Sequence, residues 1–352
     1  MFVNNKAYEI DIISIVENKE INWDSFTNQN ILISGATGLI GTFLIDILMY
    51  RNNHCNNNIT IYAISRDINK INSRFNDYLH SPFFKPVKNN IHNILSINVN
   101  IDYIIHGASN THPIAYSTQP IDTILTTVIG TNNILDFAFT HNVKKTIFIS
   151  TYEIYGENQN NIESFSEDYS GYINCNTLRA GYPESKRAAE ALCQAYIKEK
   201  KLNITIARCG KIFGPSMIKD NSQSTAQFIN NAVNNEDIVL KSKGKQKYSY
   251  CYVADTCSAL LLLLLKGKNG EAYNISNPDS NLSILEIATI LSDCSNSKII
   301  FEIPNEIEAA GYSVLSKSLI DSSKLCKLGW KPISTINEAL QKTVDILKNK
   351  ND

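Results

Sequence analysis

The sequence predicts an α/β protein, in which a doubly wound parallel sheet is followed by a smaller C-terminal α/β lobe. Two patterns carry this prediction. Short apolar, β-branched runs alternate with helical patterns through the first part of the chain, which is typical of βαβ units. A glycine-rich turn joins the first of these runs to the first helical pattern. The 352 residues, of which 43% are hydrophobic, supply enough apolar material for such a core.

The elements of the larger domain, which we expect over residues 30–214, follow one another in order. Residues 1–29 precede this domain and are expected to form a helical arm anchored by Trp23 and Phe26. Hydrophobic periodicity then separates strands from helices. Strands are expected at residues 31–33, 59–64, 101–106, 145–150 and 203–208. Helices are expected from the glycine turn to residue 50 and at residues 67–79, 123–141 and 182–200.

The alternation weakens after about Gly214, and residues 215–352 are expected to form mainly the smaller lobe. No internal repeat and no Pro- or Ser-rich linker marks the transition. Helices of the lobe are expected at residues 225–234, 255–265, 281–293 and 336–348, and strands at residues 238–241, 248–253 and 298–303.

Composition and charge exclude several classes of partner. The net charge is −1 without a long run of like charge, so we expect no nucleic acid partner and no anionic membrane surface. The longest apolar run, near residues 259–265, is far shorter than the ~20 residues that a membrane helix needs. Eight scattered cysteines without a C-x-x-C pair favour reduced thiols in the cytoplasm. The six histidines form no metal-ligand spacing, so no metal site is expected.

A glycine-rich turn follows the first strand, where Gly35, Gly38 and Gly41 form the pattern G-x-x-G-x-x-G. One glycine permits the tight turn, one lets backbone N–H groups approach a pyrophosphate, and one allows close helix–strand packing. The N-terminus of the next helix then faces the phosphate charge. Because the pattern stands between a strand and a helix, it predicts a dinucleotide site. The residues expected to bind the dinucleotide here are Gly35, Thr37, Gly38, Leu39, Ile40 and Gly41.

The end of the second strand bears on the choice between NAD and NADP. An acidic residue there would accept a hydrogen bond from the ribose 2′-hydroxyl of NAD. Here Ser65 and Arg66 occupy the expected positions, and Asp67 comes one or two places late. Arg66 can pair with a 2′-phosphate, which favours NADP. NAD stays open, because Arg66 can equally stack on the adenine or remain solvated.

A tyrosine and a lysine open the helix expected at residues 182–200. Tyr182 and Lys186 are four positions apart, so they share one helical face. A phenol is a poor base near neutral pH because its free pKa is about 10. A neighbouring ammonium favours the phenolate, so we expect Lys186 to lower the pKa of Tyr182. Such a tyrosine can take a hydroxyl proton while a hydride leaves the same carbon.

Three further polar residues follow the strand expected at residues 145–150. Ligands of open α/β sheets bind outside the carboxyl ends of the strands. Ser150, Thr151 and Glu153 therefore lie where chemistry is expected. We expect Thr151 to hydrogen-bond the reacting oxygen.

Together these segments resemble the extended short-chain dehydrogenase/reductases of the nucleotide-sugar epimerase/dehydratase family. The matching segments span most of the chain and occur in the order of the family. They are GATGLIG (residues 35–41), HGA (106–108), STYEIYG (150–156), YPESK (182–186), RCGKIFGP (208–215), YVAD (252–255) and LGWKP (328–332).

The resemblance implies a Rossmann domain, a sugar-nucleotide lobe, tightly held NAD or NADP, a nucleotide-diphosphate sugar as substrate, and a homodimer paired through two helices per subunit. It implies that Thr151, Tyr182 and Lys186 are the catalytic triad. Tyr182 would deprotonate the 4-hydroxyl of the sugar as hydride passes to the nicotinamide, and Lys186 would hold the nicotinamide ribose. The resemblance further places His106, Ala108 and Ser150 beside the cofactor.

The residue at position 153 separates the reactions of this family. Simple 4-epimerases that resemble this chain usually carry a small or apolar residue there, whereas 4,6-dehydratases and uronic acid decarboxylases usually carry Glu. A 4-keto group acidifies the C5 proton, and a carboxylate is then a suitable base. Glu153 therefore favours a 4,6-dehydratase-type lyase, unless it only accepts backbone hydrogen bonds. The alternatives are a 4-epimerase, an NADPH-dependent 4-keto sugar reductase and a non-catalytic binding protein.

Several positions depart from the family pattern. Tyr152 stands where many hexose dehydratases have Asp, Lys211 replaces an Asn, and residues 248–250 replace Arg-Asp-Phe. Lys211 and Lys247 can serve the diphosphate as point charges. The arginine of a later Arg-Pro-Gly-Asp element is replaced near residues 311–313, which weakens the decarboxylase hypothesis. The residues expected to contact the sugar nucleotide are His112, Thr151, Tyr152, Lys211 and Tyr248.

Overall fold

A seven-stranded parallel sheet forms the centre of the molecule. The computed structural model describes residue 2 and residues 5–111, 113–159, 161–218, 221–302 and 317–349. The strands of the sheet, numbered in chain order, are β1 (Asn30–Ser34), β2 (Thr60–Ser65), β3 (Phe84–Lys88), β4 (Tyr103–His106), β5 (Lys145–Thr151), β6 (Ile204–Cys209) and β10 (Ala272–Ile275). Their spatial order is β10-β6-β5-β4-β1-β2-β3. The order reverses between β1 and β4, where a doubly wound sheet opens a ligand crevice. The predicted fold class is confirmed.

The helices of the described residues cover both faces of this sheet or belong to the smaller lobe. They are α1 (Lys6–Val16), α2 (Leu39–Cys55), α3 (Ile68–Arg74), α4 (Pro113–Thr118), α5 (Pro120–Thr140), α6 (Gly181–Lys200), α7 (Ser224–Val233), α8 (Val253–Lys266), α9 (Ile284–Ser295), α10 (Ser323–Cys326) and α11 (Ile336–Lys348). Side chains alternate along each strand, so Ile31 and Ile33 enter one core and Leu32 the other. The first core contains α2 and α8, and the second contains α5 and α6.

The smaller lobe contains short strands that pair with one another. β7 (Lys211–Phe213) and β13 (Lys317–Ser318) pair in parallel with β9 (Lys247–Tyr252), and β11 (Asn281–Ser283) pairs with β9 in antiparallel. β8 (Ile238–Leu240) and β12 (Ile299–Phe301) form a separate parallel pair. Helices α7, α9 and α11 pack against each other beside these strands.

Three of the elements that the periodicity did not predict bear on the architecture. β3 contains Pro86 and lies at one edge of the sheet, where a proline is tolerated. β10 lies beyond the predicted domain boundary at residue 214, yet it pairs with β6 and forms the other edge of the large sheet. Residues 281–283, expected to be helical, form β11, and the helix begins only at Ile284 behind a Ser283–Glu286 capping box. The chain thus returns to the larger domain after entering the smaller lobe.

The N-terminal arm is fixed by buried polar contacts. Asp11 of α1 is fully buried and accepts hydrogen bonds from the Tyr252 hydroxyl at 2.8 Å and from Lys342 Nζ at 2.5 Å. Asp46 of α2 accepts hydrogen bonds from the hydroxyls of Tyr8 and Tyr78 at 2.6 and 3.0 Å. Burial raises the pKa of Asp46 to about 6. The arm therefore joins the Rossmann domain to β9 and to α11.

Two features are absent from the described residues. None of their helices combines the length and the apolar character that crossing a bilayer requires. Nor do three or more of their His, Cys, Asp or Glu side chains come together as ligands for a metal ion.

Candidate active site

A large cleft runs along the carboxyl ends of β1, β2, β4 and β5 and continues into the smaller lobe. Its volume is about 1560 Å³. Pockets for one drug-sized ligand usually measure roughly 300–1,000 Å³, so this cleft has room for a dinucleotide and a second ligand. Most of the predicted site residues line it, including Gly35, Thr37, Gly38, Leu39, Ile40, Gly41, Ser65, Arg66, Ala108, Ser150, Thr151, Tyr152, Glu153, Tyr182, Lys186, Lys211 and Tyr248.

The glycine turn has the shape that a pyrophosphate requires. Gly35 has a φ of +74°, and a Cβ there would lie 2.9 Å from the carbonyl carbon of Gly107. A Cβ on Gly41 would lie 2.4 Å from the carbonyl oxygen of Gly35. Gly38 caps α2 without a side chain, so no side chain competes for the free N–H groups of the first turn. These residues fit a dinucleotide phosphate group.

The end of β2 is compatible with either form of the cofactor. Arg66 is exposed, and its Nη1 lies 3.8 Å from Oδ2 of Asp122. The Asp67 carboxylate caps α3 by accepting hydrogen bonds from the N–H groups of Asn69 and Lys70. Asp67 is thus occupied by its own helix, and a preference for NADP stays a prediction.

Tyr182 lies buried at the start of α6, next to the end of β5. Burial raises the pKa of Tyr182, and the charge of Glu153 raises it further. A hydrogen bond with Thr151 and the charge of Arg179 lower it. Thr151 also accepts a hydrogen bond from the N–H of Glu153 at 3.3 Å, which fixes the turn after β5. The structure therefore brings together the three residues Thr151, Glu153 and Tyr182.

Lys186 is also buried on this side of α6. Its Nζ donates a hydrogen bond to the carbonyl oxygen of Ile149 at 2.8 Å, and burial lowers its pKa to about 8. The sequence analysis expects Lys186 to lower the pKa of Tyr182, but the cation that acts on Tyr182 in this structure is Arg179. The hydrogen bond to Ile149 holds Lys186 at the cleft wall, where a ribose can contact it.

His106 does not line the cleft, although the sequence analysis places it beside the cofactor. Its Nδ1 lies 2.7 Å from the Ser34 hydroxyl, and its Nε2 lies 3.2 Å from the Thr131 hydroxyl. Burial lowers the pKa of His106 to about 3, so the ring is neutral. The Ser34 hydroxyl also accepts hydrogen bonds from the N–H groups of Gly107 and Ala108. His106 therefore supports the turn that lines the cleft, and Ala108 is on its wall.

An ion pair that the sequence analysis missed lies at the centre of the cleft. Nη2 of Arg179 donates to Oε2 of Glu153 at 2.6 Å. The guanidinium lies 4.9 Å from the ring centroid of Tyr116, and this ring stacks on that of Tyr182 at 4.8 Å. Arg179 lies in the 3₁₀ turn of residues 178–180, directly before α6 and three positions before Tyr182. That spacing was the available signal.

A second cation faces the same space from the smaller lobe. Nζ of Lys211 lies 3.9 Å from the ring centroid of Tyr248, which meets the ring of Tyr152 edge-on at 5.9 Å. Burial lowers the pKa of Lys211 to about 8. Burial raises the pKa of Tyr152, so its phenol stays neutral and can donate a proton. His112 and residues 311–313, which the sequence analysis also considers, lie outside the described residues.

Ser150 contacts a buried ion pair next to the cleft. Its hydroxyl donates to Oε1 of Glu190 at 2.5 Å, and Glu190 pairs with Arg208, whose Nη2 lies 2.7 Å away. This pair holds the end of β5 against β6 and α6. The Ser150 hydroxyl is thus engaged by Glu190, and Ser150 lines the cleft mainly with its backbone.

Comparisons with known proteins find a matching family, similar proteins and a similar structure. Residues 31–276 match the model of the NAD dependent epimerase/dehydratase family. UDP-glucuronic acid decarboxylase 5 of Arabidopsis thaliana is 31% identical over 314 residues, which cover 89% of this chain and 88% of that protein. UDP-glucuronic acid decarboxylase 1 of Xenopus tropicalis is 29% identical over 322 residues, which cover 92% of this chain and 73% of that protein.

A solved structure shows the same fold. The UDP-glucuronic acid 4-epimerase of Bacillus cereus, in complex with UDP-glucuronic acid and NAD, matches with a TM-score of 0.75 at 21% identity. The match covers 92% of this chain and 100% of that chain.

Proposed function

Because the chain belongs to the NAD dependent epimerase/dehydratase family, we propose that it oxidises a nucleotide-linked hexuronic acid at C4 and then decarboxylates it. One observation carries this proposal. Arg179 lies in the same cleft as Tyr182 and forms an ion pair with Glu153 there. The curated relatives that act as UDP-glucuronic acid decarboxylases support the same substrate class. The arginine of the later Arg-Pro-Gly-Asp element is replaced in this chain, which weakened the decarboxylase hypothesis. Arg179 can supply a cation in its place.

The cleft fits the cofactor that this chemistry needs. The turn formed by Gly35, Gly38 and Gly41 would hold the pyrophosphate, and Lys186 would hold the nicotinamide ribose. When bound, NAD or NADP supplies a hydride acceptor at C4 and returns the hydride at the end of the cycle. Our preference for NADP rests on Arg66 alone, because its guanidinium can pair with a 2′-phosphate.

The residues of the chain then have defined tasks. As its phenolate, which the charge of Arg179 favours, Tyr182 would take the proton of the 4-hydroxyl, and Thr151 would donate a hydrogen bond to the same oxygen. The resulting 4-keto sugar carries its carboxylate on the neighbouring carbon, so it is a β-keto acid. When the bond from C5 to the carboxylate breaks, CO₂ leaves and its electron pair enters the enolate at C4. Protonation at C5, return of the hydride to C4 and return of the proton from Tyr182 to the C4 oxygen would complete a pentose product.

The test is mass spectrometry of nucleotide sugars incubated with the purified protein, first without added cofactor. We expect UDP-glucuronic acid to give a product lighter by one CO₂. A UDP-hexuronic acid of unchanged mass but new retention time would instead show epimerisation. Recovery of unchanged substrate with every acidic nucleotide sugar, with and without NAD or NADP, would exclude the proposal.

A 4,6-dehydratase is the second candidate. The position of Tyr152, whose ring contacts that of Tyr248 in the cleft, favours it. Glu153 would act as the base at C5, and the neutral Tyr152 phenol would protonate the leaving 6-hydroxyl. Against this candidate, the Glu153 carboxylate is already paired with Arg179. A product of a UDP- or dTDP-hexose that is lighter by one water would establish this activity. Turnover of 4-keto sugars only after NADPH is supplied would indicate the reductase.

We also propose a homodimer that pairs through α5 and α6. Apolar side chains of α5 are exposed, with Ile121 at 72% and Ile124 and Leu125 at 39% each. A lone helix face of this kind is typically covered in an assembly. Light scattering should give twice the 39.4 kDa mass of the chain. A monomer at micromolar concentration would exclude this dimer.

We place this activity in the reducing cytoplasm. All eight cysteines are free thiols, and four of them are buried. Fractionation of cells that express the tagged protein tests this location, and recovery outside the cytoplasm would exclude it.

A further inference from the structure

Resting on the proposed function, we propose that Arg179 is the receptor for the sugar carboxylate and that Glu153 occupies this receptor until the substrate binds. Arg179 would then distinguish hexuronic acids from neutral hexoses. Glu153 would be the internal competitor that the substrate carboxylate has to displace.

The first support is the unused half of the guanidinium. Nη2 of Arg179 donates to Glu153, while Nη1 is buried and has no hydrogen-bond partner among the described residues. A guanidinium presents a planar fork of donors that matches a carboxylate in a bidentate geometry. A buried donor without a partner is uncommon and calls for a ligand or water. A carboxylate arriving from the cleft would satisfy it.

The second support is the position of the fork relative to the reacting carbon. The Arg179 guanidinium packs on Tyr116, and Tyr116 stacks on Tyr182. The guanidinium and the Tyr182 ring therefore contact the same aromatic side chain. The carboxylate of a hexuronic acid is attached to C5, the carbon next to C4. A sugar whose 4-hydroxyl meets Tyr182 can therefore present its carboxylate to Arg179.

The third support is the charge around Glu153. Glu153 is mostly buried, and its carboxylate interacts electrostatically with Arg179 and Lys211. Both cations line the cleft. Because one guanidinium then faces two carboxylates, the incoming charge repels Glu153 and displaces it from Arg179. A neutral CH₂OH group cannot do this.

The experiment measures binding of UDP-glucuronic acid and UDP-glucose by calorimetry to the holoenzyme. Every protein carries Tyr182→Phe, so that the ligands are not consumed. On this background we compare Arg179→Met, Arg179→Lys, Glu153→Gln and Lys211→Met. Arg179→Lys retains a cation if Arg179→Met folds poorly, and thermal melting reports the fold of each variant.

We expect Arg179→Met to weaken binding of UDP-glucuronic acid about 10- to 100-fold, while UDP-glucose changes little. Arg179→Lys should recover part of that loss. Glu153→Gln should strengthen binding of UDP-glucuronic acid by up to about fivefold, because the competing charge is gone. A purely structural ion pair would not give tighter binding when it is broken. Lys211→Met should weaken both ligands alike if Lys211 serves the diphosphate.

Other outcomes overturn the proposal. If Arg179→Met weakens binding of UDP-glucuronic acid and UDP-glucose equally, Arg179 has a structural role. If Lys211→Met weakens binding of UDP-glucuronic acid alone, Lys211 is the carboxylate receptor. Weaker binding of UDP-glucuronic acid by Glu153→Gln would remove the competitor role. Failure of the proposed function is separable, because the enzyme with Tyr182 intact would then bind hexuronic acids through Arg179 yet release no CO₂. If the enzyme with Tyr182 intact releases CO₂, but Arg179→Met still prefers UDP-glucuronic acid to UDP-glucose, the proposed function stands and only the assignment of Arg179 as the carboxylate receptor is wrong.

Discussion

Replacing Gly41 with Ala should damage both the fold and cofactor binding, and the structure gives the size of the effect. The added Cβ would lie 2.4 Å from the carbonyl oxygen of Gly35 and 2.8 Å from Cα and the carbonyl oxygen of Ala36. All of these are backbone atoms, so α2 must move away from β1. Overpacking of this kind costs about 1–3 kcal/mol. The displaced turn would also misalign the N–H groups that face the phosphates.

Gly181→Ala is the matched control, because it makes the same substitution with the opposite expectation. Its Cβ would lie 3.3 Å from side-chain atoms of Ile124, so a side chain and not the backbone has to adjust. Alanine in a helix is favoured over glycine by about 1 kcal/mol. The free energy of unfolding in urea and the NAD(P) content of the purified protein are the two measurements. Gly41→Ala with unchanged stability and full cofactor content would refute the reasoning from close packing.

Three further predictions concern single residues. Tyr182→Phe should lower the rate of product formation about 10²- to 10⁴-fold without lowering the melting temperature, as checked by mass spectrometry and calorimetry; a rate near the original would remove Tyr182 from the chemistry. Burial raises the pKa of Asp255 from 3.8 to about 7, so its protonated form stabilises the folded state, and the free energy of unfolding should fall between pH 4 and 7. In Asp255→Asn that decrease should shrink by up to about 4 kcal/mol, and an identical pH profile in both proteins would contradict the assignment. Arg66→Ala should weaken NADP binding but not NAD binding in fluorescence titrations, and equal loss of both would mean that Arg66 contacts a part they share.

The parts of the site that the sequence predicted depend on short-range patterns. Gly35, Gly38 and Gly41 lie within one turn, and Tyr182 and Lys186 lie within one helical turn, so their relative placement follows from local geometry. The strands of the sheet were predicted where β-branched residues are consecutive. β10 was missed because its four residues, Ala272–Ile275, form a short edge strand without such a run.

The missed features depend on contacts between distant segments. Arg179 and Glu153 are 26 positions apart, and their pairing requires the loop between β5 and α6 to fold back over the cleft. His106 was predicted to lie beside the cofactor, but the Ser34 hydroxyl, 72 positions away, engages its ring. No periodicity reports which buried partner a polar side chain finds.

The contacts of Asp11 have a consequence for the synthesis of the protein on the ribosome. Its two partners, Tyr252 and Lys342, lie 241 and 331 positions further along the chain. While the polypeptide emerges, α1 therefore has to wait for both of them with an apolar face uncovered. Non-local pairing of this kind slows folding, and exposed apolar segments are open to aggregation. The buried contacts of the arm are therefore completed only after α11 has left the ribosome.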